Sequence, residues 1–168
     1  MSTFAEPPAD DLVVAVRDYA DPDVVALVEQ VQAEYVRRYG GPDATPVDPA
    51  QFAAPHGRFL VGYLGATAVA CGGWRALTDG PPGSAIAEVK RMFVVPSARR
   101  RGLALRVLAA LERSAAAAGR QEIWLETGYA QPEAIALYQR EGYRPITPFG
   151  HYRDTDGSIH LGKKIAGD

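Results

Sequence analysis

One cysteine, Cys71, stands in 168 residues. That excludes an internal disulfide and a cysteine-rich zinc site, and it fits a reducing compartment. Long apolar runs are also missing. The longest uncharged stretch, Phe59 to Trp74, is broken by Gly62, Gly65, Gly72 and Gly73 and falls short of the ~20 residues that a membrane helix needs. Charge of one sign is equally scarce: a formal net charge of −2 gives no global field for nucleic acid or an anionic membrane, so any anion site must be local. The opening residues lack the basic flank and apolar run of a signal peptide, and a cytoplasmic location is expected. Several chemical signatures are absent too, with no GxxxxGK[ST] loop, GxGxxG turn, GxSxG elbow or HExxH helix. His56, His151 and His160 are scattered, which reads as surface or loop placement and predicts no metal centre.

What remains is ordinary globular composition, 47% hydrophobic and 23% charged, at a length that fits one domain. Residues 1–10, rich in Pro and Ala, read as a loose tail before a single domain over 11–168. Leu12-Val-Val-Ala-Val predicts a strand, and Asp21-Pro22 predicts a capped helix whose apolar positions run to Gly40-Gly41. Residues 41–57 read as loop with one short helix. Segments 58–63 and 66–71 form a hairpin around Leu64-Gly65, and Ala85 to Val95 a long strand. Strict alternation there puts Glu88, Lys90, Met92 and Val94 on one face and Val89, Arg91, Phe93 and Val95 on the other. A helix over 102–118, a strand at 123–127, a helix over 131–141 and final strands at 143–148 and 158–165 complete the chain. The order is mixed α/β (α+β), with two β–helix–β crossovers that demand parallel neighbours.

One turn carries chemistry. The 85–95 strand ends at Pro96, and Arg99-Arg100-Arg101-Gly102-Leu103-Ala104 leads straight into the Ala/Leu-rich helix. A strand, a glycine turn and a helix start aim free N–H groups and the positive end of a helix dipole at one spot, which suits pyrophosphate. A compact basic cluster without interleaved aromatics argues against nucleic acid.

This turn, followed by Ala134-Ile-Ala-Leu-Tyr138-Gln-Arg-Glu-Gly142-Tyr143, resembles the GNAT (GCN5-related) N-acetyltransferases over about Glu88 to Tyr143. Gln131 stands where many members have asparagine. The resemblance implies a centrally splayed mixed sheet flanked by helices on both faces, the acyl-CoA N-acyltransferase fold, with acetyl-CoA as co-substrate and no metal. It implies pantetheine pairing with main-chain groups of Met92, Phe93 and Val94. The amides from Arg100 to Leu105 would take the pyrophosphate, and the amide near Val94 would face the thioester carbonyl. Glu88 or Glu126 would act as base, and Tyr138 would protonate the departing thiolate or donate a hydrogen bond to it. Arg38 or Arg91 is a candidate for an acceptor carboxylate, and Tyr35, Tyr39, Phe149, His151 and Tyr152 border the expected acceptor region. The implied function is transfer to a small-molecule or amino-acid-like amine within a ternary complex, by a monomer or homodimer. A protein N-terminus or lysine as acceptor, or a non-catalytic acyl-CoA-binding module, are the alternatives.

Overall fold

A computed structural model describes Pro8 and residues 11–165, so the tail expected over 1–10 lies almost wholly outside the described residues. The strands are β1 (Val13–Arg17), β2 (Gly57–Leu64), β3 (Thr67–Ala76), β4 (Ile86–Val94), β5 (Glu122–Gly128), β6 (Arg144–Pro145) and β7 (Ser158–Lys164). The helices are α1 (Pro22–Tyr39), α2 (Leu103–Ala117) and α3 (Pro132–Arg140), with a 3₁₀ turn at Pro49–Phe52. Local chemistry sets the boundaries. The Asp21 carboxylate accepts from the Asp23 N–H, Pro22 takes the first helical position of α1, and Gly40 closes it in the left-handed conformation at φ +82°.

The sheet order is β1-β2-β3-β4-β5-β7-β6, antiparallel throughout except for the β4–β5 pair. Only one of the two expected crossovers gives parallel neighbours. After α3 the chain makes the two-residue β6, and β7 then fills the place beside β5.

Each face of the sheet carries its own core. Leu103, Val107, Leu108 and Leu111 of α2 pack with Leu60, Trp74 and Val89, while Val24, Leu27 and Val31 of α1 pack with Phe52, Phe59 and Phe93. Close approach depends on Gly72, where a Cβ would lie 2.8 Å from Met92 Sδ and 2.9 Å from Leu111 Cδ1.

Two irregularities in β4 shape the site. Arg91 sits at φ +62°, and the pairing with β3 jumps there from Cys71↔Phe93 to Gly73↔Lys90. This β-bulge breaks the strict alternation read from the sequence. Met92 and Val94 join Val89 in the α2 core, whereas Phe93 packs on the α1 side, so Glu88 does not share a face with Met92. The second irregularity is a splay. β4 and β5 pair only at Ile86↔Glu122, Ala87↔Ile123 and Glu88↔Trp124, although β4 runs on to Val94 and β5 to Gly128.

Candidate functional site

The splay opens a cleft of about 990 Å³, lined from both strands, the start of α2, α3 and the end of α1. Its anion-binding end is the β4–α2 turn. Gly102, at φ +76°, is the N-cap of α2 and brings no side-chain cap, so the Leu103, Ala104 and Leu105 amides stay without intrahelical acceptors. The first helical bond is from the Arg106 N–H to the Gly102 carbonyl, at 3.3 Å. A Cβ on Gly102 would meet nothing within 4 Å, so the left-handed turn selects glycine and the space beside it is open.

The three arginines of the turn do not act alike. Arg99 and Arg100 line the cleft, and Arg101 is not among the lining residues. Arg99 donates from Nε to the Val94 carbonyl at 2.8 Å and from Nη2 to Glu34 at 2.7 Å, and lies 5.4 Å from the Phe93 ring centre. It ties the turn to α1. Alternation along the β3–β4 ladder also matters here. Because the Val95 N–H bonds the Val69 carbonyl at 2.9 Å, Val94 is a non-bonded partner of Ala70 and its own N–H turns away from β3 into the splay.

On the other wall, Glu126 of β5 lines the cleft, whereas Glu88 does not. The Glu88 carboxylate is buried against Arg75, 2.9 Å from its Nε, and Arg75 also reaches the Pro46 carbonyl and Gln51. Burial raises the pKa of Glu126, only partly opposed by a hydrogen bond from Ser158 and by the charge of Lys90. Such a carboxylate is a better proton acceptor than a solvated one. Tyr138 also lines the cleft, its ring 5.6 Å from that of Tyr143, and burial raises the pKa of its hydroxyl. It stays protonated at any working pH. Gln131 holds the N-cap position of α3 without a capping side-chain bond, and its amide oxygen accepts from the Tyr39 hydroxyl at 3.1 Å and from Thr127 at 3.4 Å, which leaves its NH₂ as the available donor.

The far end of the cleft is organised by Asp43. Lys90 approaches its carboxylate at 2.9 Å, Arg91 bonds the same oxygen, and Thr45 and Tyr152 donate to the other at 2.6 and 2.9 Å. Burial pushes this carboxyl upward, but Lys90 and Arg91 outweigh it and hold it well below the usual carboxylate range. Asp43 thereby fastens the 41–47 loop and the 146–157 loop to β4. Arg38 is occupied elsewhere, donating to the Ala130 carbonyl at 2.6 Å and to Glu133 at 2.7 Å, so it braces α1 against α3.

Sequence reasoning missed Arg75 and His160 as parts of this region, and it placed Asp43 and Ser158 there only as the ends of the 35–43 segment and the 145–158 loop expected to border the acceptor. His160 is buried rather than on the surface, while His56 and His151 are exposed. The available signal was the alternation of β7: Ser158 and His160 lie two residues apart, and His160 pairs directly with Glu126 across the ladder. Cys71 is buried and pushed up to about 12, which removes it as a nucleophile.

The sequence model of the family described as "Acetyltransferase (GNAT) family" matches residues 28–143. An IAA acetyltransferase of Azospirillum brasilense is 37% identical over 142 residues, covering 84% of this chain and 90% of that protein. The N-acetyltransferase YjgM of Escherichia coli (strain K12) is 31% identical over 133 residues, covering 75% and 77%. Among solved structures, an acyl-CoA N-acyltransferase of Klebsiella pneumoniae superposes with a TM-score of 0.75 at 26% identity, covering 92% of this chain and 98% of that one. A GNAT acetyltransferase of Elizabethkingia anophelis with acetyl-CoA bound shares the fold at a TM-score of 0.64 and 15% identity, covering 92% and 99%.

Proposed function

From the premise that this chain belongs to the GNAT acetyltransferase family, we propose that it moves an acetyl group from acetyl-CoA to the amine of a small or amino-acid-like acceptor. Direct attack in a ternary complex, without an acyl-enzyme, is the route. One observation carries this reading: the β4–β5 splay brings an uncapped helix start, the inward Val94 amide, Glu126 and Tyr138 into one cleft.

The fit to acetyl-CoA rests on the open turn at Gly102. The Leu103, Ala104 and Leu105 amides and the α2 dipole would hold the pyrophosphate, with Arg100 adding charge, and main-chain groups of Met92 to Val94 would hold the pantetheine arm. The bound co-substrate supplies a thioester carbonyl. The acceptor side demands a neutral amine, because an ammonium has no lone pair. Glu126, its basicity raised by burial, takes that proton. The Val94 N–H serves as donor to the carbonyl oxygen as charge builds on it. Tyr138 donates a hydrogen bond to the departing sulfur. Full transfer from an ordinary tyrosine near pKa ~10 to a thiol near ~8.5 already costs roughly 2 kcal/mol, and burial adds to that. Tyr138 therefore keeps its proton, and the thiol is protonated by the second proton that the amine nitrogen loses on becoming an amide.

The closed far end favours a small acceptor over a polypeptide. Asp43 and Tyr152 join the two loops there, with the Ala44 N–H also bonding Tyr152 Oη at 2.8 Å. Incubating the protein and acetyl-CoA with paired amino acids and their decarboxylated amines, with free thiol as the readout, tests this. Acceptor-dependent thiol release is expected. Release only with peptide or protein amines would replace the small-acceptor reading.

A further inference from the structure

Glu126 does not stand alone. Its Oε1 lies 3.0 Å from Ser158 Oγ, Ser158 Oγ lies 2.9 Å from His160 Nε2, and the Phe149 N–H reaches His160 Nδ1 at 3.3 Å. A backbone N–H can only donate, so Nδ1 is the bare nitrogen and the proton of the neutral ring sits on Nε2. That proton points at Ser158 Oγ, which must accept it. The one hydrogen of the hydroxyl is then left for Glu126. Every donor and acceptor along the chain is fixed by its first link, and that link belongs to the 146–157 loop bordering the acceptor end.

We propose that His160 is a positioning residue that fixes the direction of this chain and so couples the 146–157 loop to the hydrogen bond stabilising the Glu126 carboxylate. The proposal rests on the reading of Glu126 as the base. With the loop seated, Ser158 holds Oε1 and limits the rise in basicity that burial imposes. When the loop shifts and Phe149 withdraws its N–H, the imidazole is free to change tautomer, Ser158 can turn its hydrogen to Nε2, and Glu126 becomes a stronger base. A doubly protonated His160 would set its Nδ1–H against the Phe149 N–H, and burial disfavours that cation more than the nearby Tyr152 carbonyl favours it. The ring is further fixed by edge contact with Phe149 at 5.3 Å, itself 5.3 Å from Trp124. The other ionisable groups acting on Glu126 are Lys90 and Glu88 of β4, Asp43 of the 41–47 loop, and Tyr35 and Tyr39 of α1.

Nuclear magnetic resonance tests this without an acceptor. In the wild-type protein, long-range ¹H–¹⁵N spectra should show His160 as the Nε2–H tautomer, titrating below a free histidine. The Nδ1–H tautomer would overturn the proposal. In protein carrying ¹³C at glutamate Cδ, the Glu126 resonance, assigned with Glu126→Gln, should titrate about one pH unit higher in Ser158→Ala, the scale of one hydrogen bond to a charge. His160→Leu, which leaves Ser158 only Glu126 to donate to, should raise it by less, through loss of the polarising Nε2–H alone, and His160→Gln, whose amide N–H replaces Nε2–H, should bring it back toward wild type. Equal midpoints in wild type, Ser158→Ala and His160→Leu, in variants that acetyl-CoA still stabilises, would show that the chain does not act on Glu126. Loss of acetyl-CoA stabilisation in the wild type would overturn the acetyltransferase reading while leaving the tautomer result intact.

Discussion

At the residue scale, two carboxylates that look alike in the sequence are separated by their neighbours. Glu88 is spent on Arg75, and Glu126 faces the cleft with its pKa raised by burial. Glu126→Gln should therefore lose roughly 10²–10⁴-fold in rate near neutral pH and recover as pH rises and the amine deprotonates unaided. Glu88→Gln should change the rate little and the melting temperature clearly, because it leaves Arg75 buried without its partner. A larger rate loss in Glu88→Gln would return the base to that residue. Tyr138→Phe should lower turnover across the pH range while acetyl-CoA binding persists, and most for weakly nucleophilic amines. Full activity in that variant would leave Tyr138 a core residue.

At the element scale, the cleft depends on loops held to β4 by one buried acid. The folded-state pKa of Asp43 lies below its unfolded value, so its contribution is fully present above the unfolded value, near ~3.9, and is lost as pH falls through the folded one. Asp43→Asn should cost about 3–5 kcal/mol at pH 7 by stranding Lys90 and Arg91, a fall in melting temperature of roughly 6–20 °C for a chain of this length. The difference between wild type and variant should shrink below about pH 4. An unchanged melting temperature at pH 7 would show that the ion cluster does not hold the loops. The elements themselves were largely legible, because Asp21-Pro22, Gly40 and the Ala/Leu stripe of α2 act locally. The bulge at Arg91 was not, since nothing in a run of alternating residues marks where one is extra. For the same reason Glu88 appeared to share a face with Met92. The short β6 and the insertion of β7 beside β5 depend on which edge is free after α3 docks, a tertiary condition. The Gly102 turn was legible because positive φ and an uncapped helix start both leave a local signature. Ser158, His160 and Arg75 were not, because their partners lie 32, 34 and 13 positions away and meet only across strands.

At the scale of the whole molecule, the sheet is held on both faces and parts only between β4 and β5. A ligand seated in that gap bridges two strands that pair at only three positions, and it binds the native state alone. Acetyl-CoA should then stabilise the protein by about 2.7 kcal/mol at a hundredfold excess over its dissociation constant. The most direct test needs no acceptor: the melting temperature of wild type and Gly102→Glu, each with and without saturating acetyl-CoA. Gly102→Glu places a side chain and a negative charge where the pyrophosphate would lie, at a φ of +76° that a glutamate adopts with strain. A clear rise is expected for the wild type and little or none for the variant. No rise in the wild type, or an equal rise in both, would contradict that expectation.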